Sequence, residues 1–562
     1  MTENNQREQE AAKYYIKIKA DGRMFRAPVG SSLLHVLELM PPRNPKPLSA
    51  VINGQMQPLT YTVFVDSEVV WLDHSNSGTR LYKRALIFIM LMAKRKLFPQ
   101  YELRVLYSLD NGSYCTLKGP GELLAEDIAA LQDEMQRIIA ADLPISDNII
   151  SKEDAIKFFS DNGAHEKATL LAMRDSSTLH LYSCGETSEY FFGHMPPSTG
   201  LLNEFYLISF DEGFVLMLPA EKGMGFSHDE FKEPRRMQAI LKERKRWNEK
   251  LNTSTITQLN RHIDEGRLNE MVLVNEAFHS RELAKIADSI FADFPRVRIV
   301  LVAGPSSSGK TTFTQRLAIQ FLTLGIRPIT ISLDDYFFNR EDTPTDEFGE
   351  KDFESINAVD VDLFGVHLKA LLNGDEVFIP RYDFVTGTRM TEGIPCRLQK
   401  DQILIIEGIH GLNDVLVKAI PEESRRRIYI SALTQLNMDD YTPIQSSDNR
   451  LIRRIARDMQ FRNCTAEETI TRWQSVRRGE FVNIFPYQEQ ADYFFNSSLT
   501  YELPVLRSLV EKALSEIRID SPAYLEARRL RRFVQYFVPA ETHCIPLDSI
   551  LQEFLGKSCF YK

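Results

Sequence analysis

The stretch that most constrains the fold of this chain is VRIVLVAGPSSSGKTT, at residues 297 to 312. An apolar, β-branched run from Ile299 to Ala303 breaks into a glycine and serine loop, and a helical pattern follows from Thr312 to Leu324. The spacing G-x-x-x-x-G-K-[ST] is met by Gly304, Gly309, Lys310 and Thr311. Glycines let several backbone N–H groups approach one polyphosphate, and a helix N-terminus attracts anions. The stretch therefore predicts a phosphate-binding loop.

The residue types of this loop suit a polyphosphate with Mg²⁺. Lys310 brings a positive charge to the β and γ phosphates, and the Thr311 hydroxyl can ligate the metal. A chance turn before a helix is the alternative, and the strand, loop and helix in order disfavour it. The predicted phosphate-binding loop comprises Gly304, Ser306, Ser307, Ser308, Gly309, Lys310, Thr311 and Thr312.

Carboxylates follow two further strand patterns. The run from Pro328 to Leu333 is followed by Asp334, and the apolar run beginning at Ile403 ends in Glu407. Ligands of open α/β sheets bind beyond the carboxyl ends of the strands, so we expect both acids to face the loop. Glu407 would then hold Mg²⁺ directly or through water. Either acid alone could instead cap a helix or lie in a surface turn.

Composition narrows the functional classes. The length of 562 residues suggests about three compact units, and the net charge of -10 argues against general nucleic-acid affinity. The six cysteines form no CxxC pair, which is typical of a reducing cytosol and offers no metal framework. The polar start MTENNQREQE predicts neither a signal nor a transit peptide, and the apolar run from Ala85 to Ala93 is too short for a bilayer. We expect a cytoplasmic protein without membrane contact.

Six segments between residue 296 and about residue 510 together resemble the uridine kinase branch of the phosphoribulokinase/uridine kinase family. They are GPSSSGKT, SLDDYFF (332–338), DFESINAVD (352–360), IPRYDFVTGTR (379–389), IIEGIHGL (405–412) and RLIRRIARDMQFR (450–462). The resemblance implies a P-loop α/β kinase with a parallel sheet that transfers the γ-phosphoryl group of ATP to a nucleoside 5′-hydroxyl with Mg²⁺.

The resemblance also implies roles for individual residues. Asp334 would be the general base and Lys310 a catalytic cation. Glu354 would grip the ribose hydroxyls in a nucleoside pocket formed by Tyr336, Phe353, Glu354, Tyr382 and Arg389. Lid arginines would close over ATP (Arg454, Arg457) and over the substrate (Arg457, Arg462). By itself the arginine-rich stretch also fits an ordinary basic helix.

Two positions depart from the family pattern. Gly387 stands where the family has its pyrimidine-reading histidine, and Cys464 replaces another lid arginine. Discrimination by a site depends on such polar partners, so the acceptor stays open. It is a nucleoside or another small hydroxylated metabolite, such as a sugar phosphate or a pantothenate-like alcohol.

The N-terminal part resembles a synthetase. Residues 13–75 resemble the β-grasp TGS domain. Residues 76–228 resemble the second additional (editing) domain of threonyl-tRNA synthetases through RALIFIMLMAKRKLFP, LPISDNIISKEDAIKFFSDNG and GHMPPSTG. The positions that match the family's editing and metal-binding centre are Arg84, Phe88, Phe191 and Met195, and none offers a hard donor or a general base. His194 lies one place from the motif histidine and fits a structural role. We predict a retained fold with its hydrolytic site lost, serving as a scaffold or as a sensor of RNA or a small ligand.

The predicted architecture is multidomain. A polar tail (1–12), the β-grasp module (13–75) and the α+β editing-like domain (76–228) precede a charged helical linker (229–292), the kinase domain (293–514) and a C-terminal helical extension (515–562) in which the sequence indicates no chemistry. We expect a homo-oligomer that binds a small nucleoside substrate. The rival hypothesis is an RNA-binding regulator, contacting RNA through its N-terminal half, in which ATP acts as a switch.

Overall fold

The computed structural model describes residues 14–76, 78–109, 112–219, 231, 233–346, 349, 351–418 and 420–560. The predicted polar tail, residues 1–12, lies outside these ranges. No helix within them is long and apolar enough to span a membrane.

The strands up to residue 217 are β1 (Tyr15–Ala20), β2 (Arg23–Pro28), β3 (Ser31–Ser32), β4 (Ser49–Ile52), β5 (Gln55–Pro58), β6 (Thr62–Val63), β7 (Ser67–Leu72), β8 (Glu102–Leu109), β9 (Gly112–Lys118), β10 (Ser146–Ser151), β11 (Thr178–Cys184), β12 (Thr187–Tyr190), β13 (Tyr206–Phe210) and β14 (Gly213–Met217). The later strands are β15 (Ile299–Ala303), β16 (Arg327–Ser332), β17 (Glu376–Ile379), β18 (Tyr382–Asp383), β19 (Thr388–Arg389), β20 (Ile394–Arg397), β21 (Gln402–Glu407), β22 (Arg425–Ser431), β23 (Asn437–Asp439), β24 (Thr442–Pro443) and β25 (Tyr493–Asn496).

The helices up to residue 291 are α1 (Leu33–Glu38), α2 (Thr79–Leu97), α3 (Ala125–Ala140), α4 (Lys152–Asp161), α5 (His165–Ala172), α6 (Arg235–Leu251), α7 (Ile256–Asp264) and α8 (Leu268–Phe291). The later helices are α9 (Lys310–Thr323), α10 (Val361–Asn373), α11 (Asp414–Val417), α12 (Ser446–Phe461), α13 (Ala466–Asn483), α14 (Glu502–Ser515), α15 (Tyr524–Val534) and α16 (Gln552–Leu555).

The chain forms two compact units. The first contains the described part of the first 232 residues together with Asn437–Pro443 and Arg518–Leu525. The second contains Glu233–Leu436, Ile444–Ile517 and the chain from Glu526 onward.

The first unit begins with a mixed sheet in the order β2-β1-β7-β4-β5, in which β1 and β7 run parallel. Buried and exposed residues alternate along β1, as expected for a strand with one face on a core. Its buried side chains Ile16 and Ile18 share that core with Leu33 and Val36 of α1. The mixed sheet and its helix have the content predicted for the β-grasp module.

Two antiparallel sheets follow in the same unit. A four-stranded sheet in the order β13-β14-β9-β8 shares one core with α2 and α3. The apolar run Ala85 to Ala93 lies in α2, and most of its side chains are buried in that core. A three-stranded sheet, β10-β11-β12, packs with α4 and α5 around a smaller core.

The hairpin β23–β24 belongs to the first unit although it interrupts the kinase sequence. Val105 of β8 donates its N–H to the carbonyl of Asp440, with an N to O distance of 2.8 Å. Lys167 of α5 lies 3.1 Å from a carboxylate oxygen of Asp439 and 2.6 Å from one of Glu189. All three charged groups of this cluster are buried, so they form an ion triad away from water.

The second unit is built on a five-stranded parallel sheet in the order β16-β21-β15-β22-β25. Every residue of β15 is buried, which accounts for its continuous apolar sequence. The chain order of these strands changes direction next to β15. Ligands of open parallel sheets bind at such switch points, beyond the carboxyl ends of the strands.

Candidate active site

The phosphate-binding loop joins β15 to α9. Ser307 and Gly309 have positive φ angles, 59° and 84°, and Gly309 caps the helix. A Cβ on Gly304 would lie 1.9 Å from the carbonyl oxygen of Ile430 on β22. The first glycine is therefore required by close packing and the last by its left-handed conformation, which explains in physical terms why glycine stands at both positions.

The loop presents polar groups that lack partners. The hydroxyl oxygens of Ser307 and Ser308 are buried and have no hydrogen-bond partner among the described residues. Lys310 donates from Nζ to the carbonyl oxygens of Gly304, at 3.0 Å, and Pro305, at 3.2 Å. Burial lowers the pKa of Lys310, and the charges of Glu407 and Asp334 oppose this effect. These donors fit a polyphosphate.

The two predicted acids occupy neighbouring strand ends. Ser332 of β16 pairs in register with Glu407 of β21, and the Ser332 hydroxyl donates to Oε1 of Glu407 at 2.9 Å. Asp334 follows in a 3₁₀ turn, Leu333–Tyr336, and its N–H donates to Oγ of Ser332. Burial and then the charge of Asp334 raise the pKa of Glu407 to about 7, while Lys310 opposes the rise. Two carboxylates that act on Lys310, the residue before Thr311, provide oxygen donors of the kind that Mg²⁺ prefers.

Glu354 is the second acid with a strongly shifted pKa. Burial raises that pKa to about 7, against the opposing charge of Arg454, and Oε2 has no hydrogen-bond partner among the described residues. Gly479 lets α13 pack directly against this buried side chain, because a Cβ at position 479 would lie 2.2 Å from the Cβ of Glu354. The neighbouring Phe353 is exposed. An unpartnered carboxyl group of this kind suits a ligand with hydroxyl groups.

The three predicted lid arginines lie around one carboxylate, that of Asp458. Arg454 donates one hydrogen bond to Oγ of Ser306, at 2.9 Å, and another to the carboxylate of Asp458, at 3.2 Å. Arg457 donates to Asp458 at 2.8 Å, and Arg462 lies 3.7 Å from the same carboxylate. The structure therefore brings all three predicted arginines together at the end of α12, with Arg454 contacting the phosphate-binding loop.

Two further arginines of α12, which were not predicted as site residues, also contact the loop. Arg450 pairs with Glu480 through both guanidinium nitrogens and donates to the carbonyl oxygen of Ser306 at 3.2 Å. Arg453 donates to Glu502 at 2.5 Å and to the carbonyl oxygen of Ser307 at 3.4 Å. Both arginines are buried. The signal was present in the i, i+3, i+4, i+7 spacing of arginines at 450, 453, 454 and 457, but the partners are remote in sequence.

Other predicted substrate residues support the pocket walls. Tyr336 is fully buried, and its hydroxyl lies 3.1 Å from Nδ1 of His367 on α10. Arg389 donates to Asp360 at 3.2 Å and to the carbonyl oxygens of Tyr336 and Phe337. The ring of Tyr382 is half-buried against Phe337 and Phe384, and the guanidinium of Arg462 stacks over Phe384, 4.7 Å from its centroid.

The turn at Gly387 leaves no room for a side chain at this position. Its φ is 73°, and a Cβ there would lie 2.6 Å from Nε of Arg340. Arg340 also donates its N–H to the Gly387 carbonyl at 2.8 Å. The β18–β19 turn thus uses a left-handed glycine packed against an arginine at the position of the expected base-reading residue.

The four editing-centre positions of the first unit form a hydrophobic and hydrogen-bonded core. Phe88, Phe191 and Met195 are buried together, and the rings of Phe88 and Phe191 meet edge to face at 5.7 Å. Arg84 donates to the carbonyl oxygens of Phe192 and His194. No cluster of three metal-ligating side chains occurs in the part of the chain that the structure describes.

A phosphate-binding loop on a parallel sheet, a loop lysine, two strand-end acids and an arginine helix define a P-loop kinase. Residues 299–503 match the sequence model of the Phosphoribulokinase / Uridine kinase family. A uridine kinase from Aeromonas hydrophila subsp. hydrophila is 30% identical over 197 residues, covering 34% of this chain and 84% of that protein. The chain belongs to this family.

The N-terminal half is similar to threonine–tRNA ligases. The enzyme of Syntrophomonas wolfei subsp. wolfei is 32% identical over 197 residues, which are 34% of this chain and 31% of the ligase. The chain thus spans less than a third of that relative. A solved D-glycerate 3-kinase from Cryptococcus neoformans var. grubii aligns with 45% of this chain and 87% of its own, at 16% identity and a TM-score of 0.22.

Proposed function

We propose that this protein transfers the γ-phosphoryl group of ATP to the 5′-hydroxyl of a nucleoside. The observation that carries the proposal is the meeting of Lys310, Asp334 and Glu407 beside the phosphate-binding loop, where the charges of both acids act on the lysine. Phosphoryl transfer needs mainly positioning and charge neutralisation, and one carboxylate near the acceptor hydroxyl. The family membership supports the same chemistry.

Each residue has a distinct task in this proposal. Lys310 leaves its two loop carbonyls and pairs with the β and γ phosphates. Asp334 accepts the proton of the acceptor hydroxyl. Thr311 and Glu407 would hold Mg²⁺, which supplies charge neutralisation at the phosphates when bound.

The arginines and Glu354 position the two substrates. Arg454 already contacts Ser306, so small side-chain movements bring it and Arg457 to the phosphates. Charge-assisted hydrogen bonds of this kind contribute about 1.5–3 kcal/mol each. Glu354, whose Oε2 lacks a partner among the described residues, accepts hydrogen bonds from ribose hydroxyls.

The nucleobase that the acceptor carries is not fixed by the residues at the β18–β19 turn. Because Arg340 packs against Gly387, a base edge at this turn meets a guanidinium donor where an imidazole is expected. A guanidinium donates but never accepts, so it favours bases or other acceptors that present carbonyl or phosphate oxygens. A sugar phosphate therefore remains the second candidate acceptor.

The test is ADP release with Mg²⁺ and ATP across uridine, cytidine, adenosine, inosine, guanosine, ribose phosphates and pantothenate. Lys310→Met and Asp334→Asn should each abolish turnover while the fold persists. Lys369→Met and Asp362→Asn, at exposed positions of α10, are matched controls that should retain it. Full turnover in either active-site variant would refute the assigned roles.

If none of these compounds is phosphorylated while the protein still binds ATP, the result would favour the RNA-binding regulator. That regulator would bind tRNA through its synthetase-like half, with an affinity that falls steeply as salt rises. We also propose, from the sequence, that the protein is cytosolic and homo-oligomeric.

A further inference from the structure

A carboxylate from the C-terminal end of the chain occupies the start of α9. Oε2 of Glu553 accepts hydrogen bonds from the Thr312 N–H, at 3.3 Å, and from the Thr312 hydroxyl, at 2.9 Å. Thr312 is the third residue of α9, and a helix leaves the N–H groups of its first turn without internal partners. Glu553 thus binds at the position that a phosphate-binding loop reserves for an anion.

Packing fixes the segment that carries this carboxylate, residues 549–556, which we call the C-terminal segment. Ile550 is fully buried against the loop, and a Cβ on Gly309 would lie 2.6 Å from its Cγ2. The ring of Phe554 lies under the guanidinium of Arg453, 5.0 Å from it, and Gln460 donates to the Phe554 carbonyl at 2.6 Å. The contact of Glu553 is therefore part of a docked surface.

The charge of Glu553 conflicts with a bound polyphosphate. Its side chain is 8% exposed, so water screens it weakly. Its charge reaches the same groups that a nucleotide would meet, since it acts on both Lys310 and Glu407. A phosphate that uses the Thr312 N–H must take the place of this carboxylate or lie against it, and like charges at that distance repel.

We propose that Glu553 is a built-in competitor of the nucleotide phosphates, and that ATP binding releases the C-terminal segment from the phosphate-binding loop. In the absence of nucleotide, the carboxylate satisfies the Thr312 donors, and the segment covers Gly309. The triphosphate replaces one anion with another of higher charge, and the segment then leaves the loop. This inference rests on the proposed function, because the nucleotide is the ligand that displaces Glu553.

The test compares the full-length protein with its Glu553→Gln variant. Glutamine keeps the shape and the hydrogen-bond acceptor but removes the charge, so the fold is retained. Titration calorimetry with Mg-ATP and with inorganic tripolyphosphate should show the variant binding each at least about tenfold more tightly, which corresponds to ~1.4 kcal/mol. Glu541→Gln, at an exposed carboxylate of the same C-terminal region, is the control and should leave both affinities unchanged.

Hydrogen exchange supplies a second readout in the unaltered protein. Saturating Mg-ATP should speed exchange of the amides of residues 549–556. Protection of these amides by ATP would overturn the inference, because the C-terminal segment would then be a fixed wall of the nucleotide site. An affinity in Glu553→Gln that equals or falls below that of the unaltered protein would overturn it as well.

Lys310→Met separates this inference from the proposed function. Loss of ATP binding in Lys310→Met, together with equal affinities for the unaltered protein and Glu553→Gln, leaves the kinase proposal standing and refutes the competitor. Retained turnover in Lys310→Met, together with tighter ATP binding in Glu553→Gln, refutes the kinase roles and leaves the competitor standing.

Discussion

Replacing Glu407 with glutamine should stabilise the second unit at alkaline pH while it abolishes catalysis. Burial and the charge of Asp334 raise the pKa of Glu407 from the ordinary 4.5 to about 7. A carboxyl group with a raised pKa contributes stability below its unfolded value and loses that stability as pH rises through the folded value. At 1.36 kcal/mol per tenfold change, the loss amounts to about 3 kcal/mol above pH 7.

Glutamine is neutral at every pH and still accepts the hydrogen bond from Ser332, so it avoids this loss. The expected difference in the free energy of unfolding is about 3 kcal/mol in favour of Glu407→Gln at pH 8, and under about 1 kcal/mol at pH 5. Hydrogen exchange of the β15 and β21 amides measures it within the second unit alone.

Glu480 is the control, because its environment acts in the opposite direction. Burial alone would raise its pKa, but the charges of Arg450 and Arg477 outweigh burial and lower it. Its ionised form therefore adds stability at neutral pH that disappears as pH falls through the folded pKa, and Glu480→Gln should destabilise at pH 8. A Glu407→Gln variant that is less stable than the unaltered protein at pH 8, or whose advantage is the same at pH 5, would contradict a raised pKa of Glu407.

The remaining predictions concern a glycine turn and a buried cation. Gly387→His should lower stability by about 1–2 kcal/mol, because a left-handed φ is costly for other residues. Gly374→His shares a positive φ but meets no atom within 4 Å, so thermal melting should show a smaller loss there, and an equal loss would contradict a role for Arg340. Lys167→Met should destabilise the first unit by about 3–5 kcal/mol, since it leaves Glu189 and Asp439 buried without their cation. Faster hydrogen exchange of the β11 and β12 amides measures this effect, whereas Lys157→Met, at an exposed site of α4, should not change it.

Sequence patterns correctly predicted the strand, loop and helix of the candidate active site. The predicted strand Ile299 to Ala303 is the observed β15, and the acids Asp334 and Glu407 lie at neighbouring strand ends as expected. The predicted helix starts two residues earlier than expected, at Lys310, because Gly309 caps it in a left-handed conformation. Local pattern sufficed here since strand, loop and helix are adjacent in the chain.

Contacts between residues that are far apart in the chain could not be predicted from local sequence patterns. Ser306 binds Glu480, which is 174 residues away, and Thr312 binds Glu553 at a separation of 241 residues. The C-terminal extension showed no chemistry as a sequence because Glu553 gains its role only from the docking of Ile550 and Phe554. Tyr336 was predicted to line the nucleoside pocket, but its side chain is fully buried. It follows a strand end beside the base candidate, yet the 3₁₀ turn directs its ring into the core toward His367.

The arginines of α12 fall into two groups by their contacts. Arg450 and Arg453 are paired with Glu480 and Glu502 inside the protein and bind the loop carbonyls. Desolvation offsets part of the attraction within such buried pairs, so we assign them mainly a positional effect on the loop. They fix the loop backbone from the same helix that carries Arg454 and Arg457 beside it. One helix therefore positions both the loop backbone and the charges of Arg454 and Arg457, so a shift of α12 would move them together.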